Sequence, residues 1–391
     1  MRVGIDARYL RANHRGVSPE GGIGRYLHNL LVEMFQLAPE IEWTLFVPAA
    51  NTRPLFPDMP PERVRERPVS APVHTLRTLL GFHRIANSAE LDLLHCPSNV
   101  LPLGLRVPAV TTVHDMMWID APQLCASAAW KRLVTGSYYR VGISAALERS
   151  AHVLTVSAAS RHAILAHAPT LASRITVTHN GLDPQFRPLP DDEAWPRLRR
   201  IFADPAPFVL MVGQGAPYKN HAAGIRAFAE AFRHHPEVRL ALVRRLSRHD
   251  ADVSAALSDS SLQGRVLLLP EVSEEELRGL YAAACVFLHP SVCEGFGIPL
   301  LEAMAAGAPC VAANFGAMAE VGGDGVLQVD TRDVGALASG LARLYQDAGL
   351  RARIRAQGMA RAHTFSWRNA ALGTLSAYRA ALAHGGSHEA A

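Results

Sequence analysis

Two glutamates eight positions apart, Glu294 and Glu302, frame the stretch of the sequence with the most chemistry in it. It reads Pro290-Ser291-Val292-Cys293-Glu294-Gly295-Phe296-Gly297-Ile298-Pro299-Leu300-Leu301-Glu302-Ala303-Met304-Ala305-Ala306-Gly307. As local structure this is a strand end, a turn and a helix. Pro299 has the fixed φ that suits a first helical position, and Gly307 can end the helix in the left-handed conformation. Gly295 and Gly297 let the backbone approach a ligand closely. The helix start offers unpaired N–H groups at the positive end of its dipole. Phosphates suit those N–H groups and hydroxyls suit the carboxylates, so a ligand carrying both, such as a nucleotide sugar, fits. The alternative is an ordinary strand–loop–helix unit, with Glu302 in the first helical turn complementing the dipole.

Two further sites carry polar or glycine-rich signals. His114-Asp115 follows the apolar run 108–113, and polar residues at the carboxyl end of a parallel strand are where ligands sit in open α/β sheets. His114 is therefore a candidate for touching a phosphate or sugar hydroxyl, with Asp115 orienting its ring or capping the next turn; a core histidine is the competing reading. Gly21-Gly22-Ile23-Gly24 opens a helical pattern at Ile23, Leu27, Leu30, Leu31 and Met34. It is half of a dinucleotide fingerprint that lacks the third glycine, which disfavours NAD.

The elements that must position these residues alternate. Strands are expected at 2–6, 44–47, 92–95, 108–113, 153–156 and 175–177, and helices at 23–35, 74–86, 130–150 and 159–167. Residues 13–22 and 48–72 read as loops. Residues 184–207 hold six prolines, a composition expected of an interdomain linker. The alternation then restarts, with strands at 208–212, 238–243, 266–269, 286–288, 310–313 and 326–329 and helices at 221–232, 274–284, 337–344, 350–362 and 367–382. Two βαβ-rich halves, each with its own parallel sheet, are the expected architecture.

Composition sets outer bounds. The 391 residues suggest two domains, and 49% hydrophobic against 19% charged residues excludes a disordered chain. A net charge of +4 is too small to argue for nucleic acid. Five cysteines, at 96, 125, 285, 293 and 310, form no C-x-x-C pair, which argues against a zinc site and a disulfide framework and fits a reducing compartment. The start, with Asp6 closing a short apolar run, suits a first strand better than a signal peptide. A cytoplasmic protein is expected.

With these motifs in order, the chain resembles a retaining glycosyltransferase of family 4. The E-x7-E signature is Glu294–Glu302. Supporting it are Gly21-Gly22-Ile23-Gly24, Thr112-Val113-His114-Asp115, Thr155-Val156-Ser157, Asn180-Gly181-Leu182-Asp183, Val212-Gly213 with Lys219-Asn220, and Phe365-Ser366-Trp367. The resemblance implies the GT-B fold: two facing Rossmann-like domains with parallel sheets and an interdomain cleft. Residues 1–185 would form an acceptor-binding domain, 186–206 a linker and 207–366 a nucleotide-sugar domain, with helix 367–382 packing back on the first. It also implies roles: Glu294 holds the transferred sugar, Glu302 accepts the ribose hydroxyls, and the backbone at Phe296, Gly297 and Ile298 binds the diphosphate. Lys219 would neutralise the leaving group, His114 would contact the sugar or shuttle a proton, and Gly21 and Gly22 would close over the donor.

One position departs from the family, which usually has arginine where this chain has Gln214. A neutral amide supplies no charge to a phosphate, so Arg244 or Arg245, at the end of the next strand, is expected to replace it; a solvated basic strand end is the alternative. No D-x-D motif is present, and Lys219 with the helix dipole can do a metal's electrostatic work, so no metal cofactor is expected. The expected donor is GDP-mannose, with UDP-glucose and UDP-N-acetylglucosamine open. The expected acceptor is a saccharide or polyprenyl-linked saccharide of surface polysaccharide synthesis. The basic amphipathic segment 74–86 reads as a surface helix packing on its own domain or as a peripheral contact with the inner face of the bacterial membrane. A GT-B phosphorylase or epimerase and a non-catalytic scaffold are the rival classes.

Overall fold

The computed structural model describes residues 1–13, 16–19, 21–244 and 250–385, which divide into two compact units. The first comprises Met1–Pro122, Ala129–Gly181 and Ser366 onward; the second comprises Gln123–Ala128 and Leu182–Phe365.

The first unit is built on strands β1 (Arg2–Asp6), β4 (Glu42–Pro48), β5 (Val64–Val69), β6 (Leu93–Cys96), β7 (Ala109–Thr112), β8 (His152–Thr155) and β9 (Ile175–Val177). Between β1 and β4 a small antiparallel hairpin joins β2 (Leu10–Asn13) to β3 (Gly16–Pro19). The seven strands are parallel in the order β5-β4-β1-β6-β7-β8-β9. Strands β6, β7 and β8 are buried along their whole length, as sheets covered on both faces by helices require. Chain order reverses at β1, which pairs with β4 on one side and β6 on the other, so the topological switch point lies between β1 and β6.

The last helix, Trp367–Gly385, belongs to this first unit and packs on helix Gly21–Leu37. The fit is close at Gly181, where a Cβ would stand 2.0 Å from the backbone nitrogen of Trp367, so only glycine serves there. Tyr378 on this helix meets Nδ1 of the buried His95 at 2.7 Å, and His95 Nε2 meets Thr112 at 2.8 Å. Tyr26 completes the chain of polar contacts at Thr112, 3.0 Å away.

The second unit has six parallel strands, β10 (Phe208–Val212), β11 (Arg239–Val243), β12 (Val266–Leu269), β13 (Val286–His289), β14 (Cys310–Ala313) and β15 (Leu327–Val329). Their order is β12-β11-β10-β13-β14-β15, which puts the switch point between β10 and β13. Helices His221–Ala231 and Val334–Gln346 pack together, and both bury leucine, isoleucine or phenylalanine side chains in the same core.

Several stretches differ from the sequence reading. Residues 13–22 are not all loop, since β2 ends at Asn13 and β3 forms at Gly16–Pro19. Residues 48–72 contain β5, an edge strand whose sequence VRERPV holds three consecutive charged residues and carries Pro68. Residues 184–207 contain helix Asp191–Arg197, which starts directly after Pro190 with three acidic residues in its first turn. Helices Ala251–Leu257 and Gly316–Gly322 also form where the sequence reading assigned none. Among the described residues no helix is long and apolar enough to cross a membrane.

Candidate active site

At the switch point of the second unit, the carboxyl ends of β10 and β13 bring together residues distant in sequence. After β10 a short 3-10 turn, Pro217–Lys219, is tied to the loop after β13 by Val292 N–H donating to the Tyr218 carbonyl at 2.9 Å. This turn delivers Lys219, whose Nζ donates to Glu294 Oε1 at 2.5 Å. His289, the last residue of β13, donates from Nε2 to the same oxygen at 3.2 Å. Both donors' side chains are buried, 8% exposed for Lys219 and 1% for His289, so the contacts act with little solvent screening. Burial pushes the Glu294 pKa up, but Lys219 and then His289 more than reverse this and hold it at about 2. The carboxylate is ionised throughout the neutral range.

Behind this pair stands a second one. His221, opening the next helix, accepts at Nδ1 from Arg244 Nη1 at 3.0 Å, which makes the ring neutral. Burial lowers its pKa to about 3, with the Arg244 and Lys219 charges adding to the effect. Arg244 also pairs with Asp250 at 2.6 Å and its side chain is 2% exposed. Arg244 is therefore not a solvated strand end but an internal cation with its own counterion. Gly213 N–H donates to the Val243 carbonyl, so Gln214 and Arg244 leave the sheet side by side; Gln214 itself is exposed. Arg245 lies outside the described residues.

The turn after Glu294 leads into helix Ile298–Ala305. Gly297 caps it at φ +94°, a conformation that favours glycine, and a Cβ there would have to displace the end of the Met318 side chain, 2.3 Å away at Cε. Pro299 is the second helical residue, not the first, and Gly307, at φ +81°, ends the helix. Glu302 lies in the second turn and not the first, too far in to complement the dipole. It is 4% exposed and accepts from the Tyr281 hydroxyl at 3.0 Å. The Phe296 ring is buried edge-on against Phe365, 5.6 Å between centroids, so this residue has only its backbone to offer a ligand.

The remaining candidates belong to the first unit. His114 follows β7; its backbone N–H donates to Asn99 Oδ1 at 2.6 Å and its ring Nε2 donates to the Pro97 carbonyl at 2.8 Å. A carbonyl only accepts, so the proton is on Nε2 and the Nδ1 lone pair is left as an acceptor. Burial lowers the pKa to about 4, partly offset by the Pro97 bond, so the ring is neutral and a weak base. The Tyr26 ring meets it edge-on at 5.0 Å. Asp115 does not orient this ring: its Oδ1 accepts from Met117 N–H at 3.0 Å and caps the next turn. Gly21 and Gly22 are exposed at the start of helix Gly21–Leu37, and a Cβ on Gly22 would meet nothing within 4 Å.

His289, His221, Asp250 and Tyr281 were not singled out by sequence. His289 was findable by the rule that drew attention to His114, since it is a polar residue at the carboxyl end of a parallel strand. The other three matter through pairing across the fold, for which the sequence carries no local signal.

Comparison with known proteins places this geometry. The pattern described as Glycosyltransferase Family 4 matches residues 20–186, and that described as Glycosyl transferases group 1 matches residues 198–361. The O-antigen chain mannosyltransferase B of Escherichia coli is 32% identical over 290 residues, covering 73% of each chain. A D-inositol 3-phosphate glycosyltransferase of Nocardioides is 35% identical over 228 residues, covering 54% of this chain and 49% of that one. Among solved structures, a sucrose-phosphate synthase from Thermosynechococcus elongatus superposes with a TM-score of 0.72 at 22% identity, covering 98% and 99% of the two chains. The fold is thus GT-B, with two Rossmann-like units, and the protein is an enzyme that transfers glycosyl groups. The chain belongs to glycosyltransferase family 4.

Proposed function

We propose that this glycosyltransferase moves mannose from GDP-mannose to a hydroxyl of a saccharide or polyprenyl-linked saccharide acceptor in cell-surface polysaccharide synthesis, with retention of anomeric configuration. The observation that carries the reading is the ionised, buried Glu294 held by Lys219 and His289 at the switch point, in a chain related to a mannosyltransferase. A fixed carboxylate accepts hydrogen bonds from sugar hydroxyls, and Lys219 is shared between it and the departing diphosphate, whose charge grows as the glycosidic bond breaks. The N–H groups at Phe296, Gly297 and Ile298, at the positive helix end, take the phosphates, and Glu302 takes the ribose hydroxyls. Arg244, which leaves the sheet beside Gln214, is the arginine assigned to the place of the family cation, with part of its charge taken by Asp250. His114 accepts a hydrogen bond at Nδ1 from a sugar hydroxyl; as so weak a base it does not take the acceptor proton, which goes to the leaving diphosphate. Gly21 and Gly22 offer bare backbone to the donor.

The charge on the leaving group is met by Lys219 and the helix end, so the reaction proceeds without a metal. A thermal-shift panel of GDP-, UDP- and dTDP-sugars, run in EDTA, tests the donor: GDP-mannose raises Tm by mass action. A shift with UDP-sugars alone would refute GDP-mannose.

The acceptor reading brings the protein to the inner face of the bacterial membrane. Helix Leu76–Asn87 exposes Leu76 and Leu80 beside Arg77 and Arg84, and helix Ala129–Arg149 exposes Trp130, Leu133 and Val134 beside Lys131 and Arg140. Apolar and basic residues in this mixture suit an anionic lipid surface. The protein should float with vesicles containing anionic lipid, and Arg77→Glu with Arg84→Glu should reduce the bound fraction severalfold; equal flotation of variant and wild type would rule this surface out.

A further inference from the structure

The first unit has its own switch point, between β1 and β6, and the residues gathered there are aromatic. Tyr9 stands three residues beyond β1 and donates from its hydroxyl to Ser98, just beyond β6, at 2.6 Å. Around it lie His74, Tyr138, Tyr139 and Trp118. His74 meets Tyr9 edge-on at 5.6 Å and Tyr138 at 6.3 Å, and Trp118 stacks on Tyr139 at 4.9 Å with 8° between the planes. Tyr138 and Tyr139 are themselves edge to face at 5.3 Å. The cluster runs from the interior to the surface: Tyr9 and Tyr138 are buried, Trp118 and Tyr139 half-buried, and His74 exposed.

His74 is held in an uncommon way for an exposed side chain. Its φ is +60°, in the left-handed region, and its Nδ1 is hydrogen-bonded to the Tyr139 hydroxyl at 2.9 Å. A strained residue kept in place at the mouth of an aromatic cluster marks a functional surface. The nearby cation does not favour an anion: Arg8 is locked on Asp6 through Nε and Nη2, both at 2.7 Å, and gives Nη1 to the Ala71 carbonyl and Thr78. Its charge is compensated inside the unit.

We infer that this cluster of five rings is a binding subsite for an uncharged hexose ring of the acceptor, the C–H face of the sugar lying on the aromatic rims and its hydroxyls meeting His74 and Tyr139. Ligands of open α/β sheets sit at such switch points, and aromatic side chains with polar tips suit a ligand that is apolar on its faces and polar at its edge. The inference rests on the saccharide-acceptor reading above, but its test does not involve the donor.

The test is saturation-transfer NMR on the full chain with methyl α-D-mannopyranoside and no nucleotide, for wild type, Trp118→Ala, Tyr139→Phe and His74→Gly. Glycine accepts φ +60° without strain, so His74→Gly removes the ring while keeping the backbone. The expected result is clear transfer to the glycoside in wild type, at least a fivefold loss in Trp118→Ala and His74→Gly, and a smaller loss in Tyr139→Phe, with Tm unchanged. If Trp118→Ala lowers Tm, His74→Gly and Tyr139→Phe decide. No transfer in wild type, or equal transfer in the variants that keep Tm, overturns the subsite. A failure of the donor panel would leave this result unaffected.

Discussion

Lys219→Ala should lower kcat by about 10²–10³-fold, on the scale seen when one preorganised donor to developing charge is removed. The loss has two sources. Under the proposed mechanism the leaving diphosphate loses a cation, and Glu294 loses the contact that holds its pKa at about 2 against burial, leaving only His289. The substitution also leaves a buried carboxylate without its main partner, which costs about 3–5 kcal/mol of stability. These two effects separate in a double variant. Lys219→Met with Glu294→Gln removes both charges, so stability should largely return while activity does not. The measurements are kcat with saturating donor and the midpoint of denaturant unfolding. Recovery of activity in the double variant would show that the pair is structural only.

The second large effect is acid destabilisation. His95 and His221 are buried, His114 is half-buried, and all three are neutral, their pKa values lowered by loss of solvation to about 3, about 3 and about 4. In the unfolded chain each takes up a proton near pH 6.5, whereas in the folded protein none does until the pH is far lower. The unfolded state therefore binds more protons across this window, and stability falls as the pH drops. Each histidine contributes about 1.4 kcal/mol per pH unit, so the three together give a slope of about 4 kcal/mol per pH unit between pH 6.5 and about 4. Glu294 acts in the same direction lower down, its contribution present above pH 4.5 and lost as the pH falls toward about 2. Unfolding midpoints measured from pH 7.5 to 4.5 should fall steeply below 6.5; a flat profile would mean that these rings are protonated in the folded state.

What the sequence revealed and what it hid have physical causes. Strands such as β10 and β14 were legible because a strand buried on both faces must be a continuous apolar run, and Phe208–Val212 and Cys310–Ala313 are such runs. Strand β5 was hidden because an edge strand tolerates Arg65, Glu66, Arg67 and Pro68. Helix Asp191–Arg197 was hidden among prolines, where composition suggested a linker. In the site, the glycine turn and both glutamates stood out because their spacing is local. The state of Glu294 did not, since it depends on Lys219, seventy-five positions away. The burial of Arg244 was hidden for the same reason: nothing in the run Val243-Arg244 announces that Asp250 and His221 enclose it.

The C-terminal helix gives the chain an order of assembly. The first unit is made mostly from residues that leave the ribosome early, yet it is completed by Trp367–Gly385, which follows the whole of the second unit in the chain. Until then His95, in the middle of that unit's sheet, has no Tyr378 to meet its Nδ1, and the close seat at Gly181 stands open beside Trp367. The second unit, by contrast, has all its strands synthesised before that helix begins. Translation therefore delivers every strand of the second unit while the first is still missing one wall, and the first unit closes only when helix Trp367–Gly385 docks.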